Sequence, residues 1–140
     1  MMHDATQITP CAWRERLEAF LLARRHQPFE WGRNDCCLFA ADAVLAMTGV
    51  DHAADVRGTY STAREAVLVL AALGGLDAVA ARGGPECPPL CACVGDVGIV
   101  NDGERDALAV CQGEMWAVPV SGGVAYMQFN AARRAWRLHG

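Results

Sequence analysis

The feature that most constrains this fold is a helical segment that is apolar at nearly every position. Residues 36–48 contain one charged side chain, Asp42, and lie between a helix cap at Asn34 or Asp35 and a terminating Gly49. A helix that is apolar all round must be buried on nearly all sides. The sequence therefore predicts a central helix at residues 36–48, around which the rest of the chain packs.

Two further helices are predicted on either side of this central helix. The first is capped by Thr9 and stops before Pro28, while the third is capped by Ser61 and ends at Gly74. Glu65 lies near the N3 position of the third helix, which is typical of a capping box. The first half of the chain is therefore predicted to be helical.

The second half changes to short apolar segments separated by glycine and proline. After a loop at residues 82–89, strands are predicted at 94–100, 107–111, 115–120, 124–129 and around 136–138. Residues 101–103, Asn-Asp-Gly, are typical of a hairpin turn, and residues 131–134 predict a short helical turn. Helices followed by antiparallel strands predict an α+β fold in one domain, residues 1–140.

Composition excludes several functional classes. The chain is 53% apolar with a net charge of −4, which argues against disorder and against a nucleic-acid partner. Arg133, Arg134 and Arg137 surround Trp136, but the acidic total favours a solvated face.

The longest apolar run, residues 66–76, is too short to span a membrane, and residues 1–9 lack the features of a secretory signal. We therefore expect synthesis in a reducing cytoplasm and no membrane span.

Cysteine is unusually frequent in this chain. The seven positions are Cys11, Cys36, Cys37, Cys87, Cys91, Cys93 and Cys111. An odd number without an export signal argues against a disulfide framework. Cys36 begins the central helix, where free N–H groups stabilise a thiolate and can hold an oxyanion. Three readings of Cys36 stay open: a buried small apolar residue, a vestigial nucleophile or a working nucleophile.

The segment around Cys36 carries a resemblance to a known family. Trp31-Gly32 followed by Asp35-Cys36 resembles the segment of NlpC-type cell-wall peptidases in which an aromatic-glycine loop leads into Asp-Cys and a helix. The resemblance implies a papain-like NlpC-type fold with Cys36 as nucleophile and Trp31 in the cleft wall. Cys37 stands where these enzymes usually have serine.

Later motifs extend the resemblance over roughly residues 10–138. Gly95-Asp96 resembles the motif that opens the sheet of these peptidases, and residues 107–113 resemble their second strand. Residues 57–61 and 135–137 do not belong to the general peptidase pattern. With the short length, they resemble a compact phage and prophage family of tail-module proteins, distantly related to the peptidases.

The sequence departs from the peptidase pattern at the base. Ala107 occupies the position that the resemblance gives to the catalytic histidine, and no histidine lies between His52 and His139. Each histidine is expected to be solvated. A thiol without an aligned base lacks its activation partner.

Three alternative functions are considered, two implied by the resemblance and one by the spacing of the cysteines. The first is a catalytically inactive structural protein of the phage tail tip or its assembly, with other tail tip and hub proteins as partners. It would reside in the virion tail after synthesis in the host cytoplasm. The second is an active peptidoglycan endopeptidase with Cys36 as nucleophile.

The third function is a structural tip module that binds zinc or an iron–sulfur cluster. Its candidate ligands are Cys87, Cys91, Cys93 and Cys111. Their C-x3-C-x-C spacing differs from the usual C-x2-C knuckle, so packed thiols are favoured over a metal and no cofactor is expected.

The order of elements makes one geometric prediction. The sulfur of Cys36 should lie in the first helical turn and face the strand that carries Ala107. With Ala107 there, no imidazole should lie within about 4 Å of the sulfur, and the thiol should alkylate slowly.

Overall fold

The computed structural model describes residues 12–138, and the helices of this part precede its sheet. The α-helices are α1 (Ala12–Arg24), α2 (Cys36–Thr48), α3 (Ala63–Ala72) and α4 (Leu76–Ala80). The strands are β1 (Glu86–Cys87), β2 (Val97–Asn101), β3 (Asp106–Cys111), β4 (Met115–Val120), β5 (Gly123–Gln128) and β6 (Arg134–Trp136). Short 3₁₀ turns occupy Ala81–Gly83, Pro89–Cys91 and Phe129–Ala131. The predicted cap at Thr9 lies outside the described residues, as do His3, Cys11 and His139.

The six strands form one antiparallel sheet in the order β1-β6-β2-β3-β4-β5. Hairpins join β2 to β3 and β4 to β5, while β6 returns to lie between β1 and β2. The predicted α+β class, with helices before an antiparallel sheet, is confirmed.

Helix α2 forms where the sequence predicts it, because both of its ends carry strong local signals. The Asp35 carboxylate accepts a hydrogen bond from the Leu38 N–H at 3.0 Å, and Gly49 ends the helix in the left-handed region with φ of 81°. The helix packs on α1 and β3 and buries Phe39 completely. Its position behind the sheet places its N-terminus beside β3.

The sheet has a different core on each face. Toward the helices, Phe39 packs with Ile99 and Leu108, whereas Trp116 and Cys111 belong to the core on the opposite face. This separation follows from the strand period of two residues, which sends adjacent side chains to opposite faces. The core on the helix side determines which β3 residues can reach the first turn of α2.

Several predicted boundaries need correction. The cap of α3 is Thr62 rather than Ser61, and the Glu65 carboxylate accepts a hydrogen bond from the Ser61 N–H at 2.9 Å. The predicted loop at residues 82–89 contains β1, which pairs with β6. Within residues 12–138, no single helix has the length and apolar content needed to cross a membrane.

Candidate functional site

An apolar cavity of about 160 Å³ lies beside the N-terminus of α2. Helix α2 forms one wall, helices α3 and α4 form another, and β3 and the loop at residues 52–60 complete it. Cys36 and Cys37 both line this cavity and are half-buried. The predicted nucleophile position therefore borders a pocket as well as the core on the helix side.

Asp35 organises the loops at this end of the cavity. Its buried carboxylate accepts hydrogen bonds from the Leu38 and Gly32 N–H groups, both at 3.0 Å, and from the Tyr60 hydroxyl at 2.5 Å. Burial, together with the nearby Asp35 charge, raises the pKa of Tyr60 well above its usual range. Tyr60 therefore acts as a fixed hydrogen-bond donor that holds the loop before α3 against the loop before α2.

Gly32 is required at the point where these two loops meet. Its φ is 81°, and a Cβ atom at this position would lie 2.2 Å from the Tyr60 carbonyl oxygen. A side chain here meets both a strained backbone and a backbone clash. This contact explains the glycine of the Trp31-Gly32 pair, and Trp31 itself lines the cavity.

Cys36 lies in the first turn of α2, as predicted, and its thiol is more acidic than usual. A hydrogen bond with the Cys37 thiol is the largest cause of its lowered pKa, followed by a hydrogen bond from the Leu108 backbone and the positive charge of Arg105. Burial and the Asp35 charge oppose this effect. The same hydrogen bond, together with burial, raises the pKa of Cys37 well above its usual range.

The strand facing Cys36 is β3, but Ala107 is not the residue that faces it. Asp106 and Leu108 line the cavity, whereas Ala107 lies between them in the strand and pairs with Val100, a residue of the opposite core. The period-two alternation therefore turns the Ala107 side chain away from α2. The expectation that Ala107 faces Cys36 is therefore wrong, and the β3 side chains that line the cavity are those of Asp106 and Leu108.

The described residues contain two histidines, His26 and His52. His26 is exposed just after α1, while His52 is half-buried and lines the cavity instead of being solvated as expected. Neither is among the groups that shift the pKa of Cys36. A cysteine with a lowered pKa thus stands in an apolar cavity without an imidazole acting on it.

Arg105 and Trp31 form the rim of the cavity near Cys36. The guanidinium carbon of Arg105 lies 5.0 Å from the Trp31 ring centre, and the Phe29 ring packs edge-on against Trp31 at 4.7 Å. The nearest carboxylate of Arg105 is the exposed Glu104, at 3.6 Å. Sequence reasoning missed Arg105 because nothing in the hairpin turn signals its proximity to α2.

A charge network behind the site was also missed. Asp42 accepts hydrogen bonds from Arg24 at 2.7 Å and from Arg57 at 2.6 Å, and Arg57 also binds Asp51 at 2.8 Å. These contacts tie α1 and the loop before α3 to α2. Asp42 was the residue from which this network could have been predicted, because a charged side chain within an apolar helix needs partners of opposite charge.

The second cysteine group lies on the far side of the sheet and differs in character. Cys111 is fully buried and Cys87 half-buried, whereas Cys91 and Cys93 are exposed. Burial raises the pKa of Cys111 to about 11 and also raises the pKa of Cys87. Within residues 12–138, no three histidine, cysteine or acidic side chains are placed to hold a metal ion.

Asp96, from the Gly95-Asp96 motif, has a structural position in this second region. Its buried carboxylate accepts hydrogen bonds from the Cys93 N–H at 2.8 Å and the Leu138 N–H at 3.0 Å. It thereby joins the segment before β2 to the segment after β6. The Gly95-Asp96 motif therefore has a structural role, on the face of the sheet away from Cys36.

Fold and site together define an α+β protein with an acidic cysteine at the N-terminus of a buried helix, set against an antiparallel sheet. The chain belongs to the family described as a domain of unknown function (DUF6950), whose profile matches residues 11–138. No curated protein sequence matches this chain.

Proposed function

We propose that this protein is a structural component of a phage or prophage tail, built on an NlpC-like, papain-type scaffold that does not cut peptide bonds. The order of elements supports this proposal, because a cysteine opens a buried helix and an antiparallel sheet follows. Its location would be the virion tail, where it contacts other tail tip and hub proteins.

The observation that carries the proposal is the set of groups around Cys36. The side chains of β3 on its face are Asp106 and Leu108, and Asp106 forms an ion pair with Arg133 at 2.8 Å. Peptide hydrolysis by a cysteine needs a group that removes and returns a proton. No described histidine is among the groups that shift the pKa of Cys36, which favours binding over cleavage.

Helix α3 offers the surface for a partner. None of its residues is buried, and Val67 and Leu68 are each 65% exposed. Neighbouring exposed apolar residues on one helix are typical of a protein interaction site. In the proposed function this helix contacts the adjacent tail subunit.

The test uses a phage or prophage that encodes this chain. We expect purified tails to contain the protein and tail assembly to fail when its gene is interrupted. Val67→Glu with Leu68→Glu should prevent incorporation, whereas the control pair Ala71→Glu and Ala72→Glu, also exposed on α3, should not. Normal assembly without the protein, together with its absence from virions, would refute the proposal.

A second candidate is a working cell-wall cysteine endopeptidase. The observation that favours it is the lowered pKa of Cys36, since a thiolate is the reactive form of cysteine. Purified protein incubated with peptidoglycan decides between the two, with Cys36→Ala as the test variant and Cys93→Ala as the control. Release of stem-peptide fragments that Cys36→Ala abolishes would establish the enzyme and replace the first proposal.

A further inference from the structure

The cavity beside Cys36 has an unusual wall, because the helix that covers it is apolar yet has no buried residue. Val69, Leu70 and Leu73 of α3 line the cavity and are only half-buried. The lining also includes the small residues Ala40 of α2 and Ala80 of α4. A full core would bury these α3 residues, so small side chains leave room for an apolar group between α2 and α3.

Charged side chains lie at the Cys36 end of the cavity. At the Cys36 end, the Asp35 carboxylate is already bound by three donors and Asp106 is paired with Arg133. Arg105 remains the cation of this rim whose nearest carboxylate, from Glu104, is exposed and 3.6 Å away. This end suits the anionic or strongly polar head of a ligand, while the interior suits an aliphatic tail.

We propose that this cavity binds a short acyl chain, with the chain between α2 and α3 and its carboxyl-derived head beside Cys36 and Arg105. A cavity of about 150 Å³ accommodates a six-carbon ring, and this one has about 160 Å³. The matching ligand therefore has about six to eight carbons. The proposal depends on the cavity alone and not on a role in phage tails.

Two sources share this chemistry, a free carboxylate and an acyl thioester. With a thioester, the Cys36 thiolate attacks the carbonyl carbon and forms a new S–C bond. The C–S bond of the donor breaks, and the donor leaves as a thiolate that takes up a proton from water. With a free carboxylate, binding is reversible and Cys36 keeps its mass.

Chain length provides the first test, read by isothermal titration calorimetry with butanoate, hexanoate and octanoate. Each additional CH₂ group buried in the cavity should tighten binding about fourfold. Arg105→Gln should weaken octanoate binding about tenfold and leave octanol binding unchanged. Absence of saturable octanoate binding, or affinity independent of chain length, would overturn the proposal.

A matched pair of variants on α3 locates the site. Ala66→Phe places a ring in the cavity and should abolish octanoate binding, whereas Ala71→Phe on the exposed side should retain it. Unchanged thermal unfolding of both variants shows that the fold is kept. Equal binding by the two variants would place the ligand elsewhere and refute the proposal.

Mass spectrometry distinguishes the two sources. Incubation with an octanoyl thioester should add one octanoyl group to the wild-type protein and none to Cys36→Ala if the thioester is the ligand. Octanoate binding without this adduct identifies the free carboxylate. Labelling of Cys91 or Cys93 instead of Cys36, without octanoate binding, would contradict both forms of the proposal.

Discussion

Asp35 and Asp96 are both buried carboxylates that accept backbone N–H groups, one before α2 and the other before β2. The pKa values of the thiols near these two carboxylates are nevertheless shifted in opposite directions. Beside Asp35, the pKa of Cys36 is lowered, whereas near Asp96 the pKa of Cys111 is raised to about 11. Both carboxylates act against thiolate formation, so the carboxylate is not the cause of the difference.

The difference comes from what else contacts each thiol. Cys36 has the Cys37 thiol and the Leu108 backbone as hydrogen-bond partners and borders a cavity. Cys111 lies in the packed core on the far face of the sheet, where burial dominates. Similar Asp-containing motifs thus anchor a candidate chemical site in one region and a structural core in the other.

The largest effect is expected at Gly32, in the Asp35 region. Gly32→Ala should lower the free energy of unfolding by about 3 kcal/mol, because its Cβ would clash with the Tyr60 carbonyl. Gly58 has a similar φ of 77° with no atom near its Cβ position, so Gly58→Ala should lose only about 1 kcal/mol. Urea denaturation measures both, and equal losses would show that the loop contact contributes nothing.

In the second region, Asp96→Asn should lower the free energy of unfolding by about 2 to 3 kcal/mol. Both carboxylate oxygens accept backbone N–H groups. In the variant, the side-chain NH₂ replaces one of these oxygens and therefore meets a backbone N–H donor instead of an acceptor. The exposed Asp106 provides the control, and Asp106→Asn should change stability by less than about 0.5 kcal/mol. If both variants change the free energy of unfolding by a similarly small amount, Asp96 does not hold its two neighbouring segments together.

The raised pKa of Cys111 predicts a loss of stability in alkali. Between pH 9 and 11 the unfolded thiol ionises while the folded thiol keeps its proton, so stability falls as pH rises through this window. The contribution is about 1.4 kcal/mol per pH unit, absent below pH 9. Chemical denaturation across this range should show a shallower slope for Cys111→Ala than for the wild type; identical slopes would contradict the prediction.

The smallest effect concerns the reactivity of Cys36. Since the Cys37 thiol is the largest cause of the lowered pKa of Cys36, Cys37→Ala should raise that pKa. Alkylation of Cys36 by iodoacetamide near pH 7 should therefore slow, as followed by peptide mass spectrometry. Cys93→Ala should leave the rate unchanged, and an unchanged rate in Cys37→Ala would remove the thiol pair from the explanation.

Local signals explain which parts of the fold were predictable. Asp35, Gly49 and the apolar residues between them define α2, and the Asn-Asp-Gly turn defines the hairpin between β2 and β3. The cap of α3 was placed one residue early because Ser61 and Thr62 are both good caps. The short strand β1 carries no local pattern, since only pairing with β6 makes residues 86–87 extended.

The candidate site was predictable only in part. The sequence placed Cys36 at a helix start and Trp31 beside it, because both depend on neighbouring residues. It placed Ala107 opposite Cys36 through the family resemblance, whereas in the strand Ala107 pairs with Val100 of the opposite core and alternation sends the two to the same face. Arg105 and Tyr60 reach the site through tertiary packing that no local pattern encodes.

The position of β6 has a consequence for how this protein is made. Among the described strands β6 is synthesised last, yet it is the one that joins β1 to the rest of the sheet. Until residues 134–136 leave the ribosome, β1 has no partner and the apolar strand β2 keeps an open edge, a template for intermolecular pairing. Closing the sheet then brings Arg134 to Glu86 across 48 residues of chain, a slow long-range contact. Nascent chains stalled before β6 would therefore depend on chaperones to stay apart.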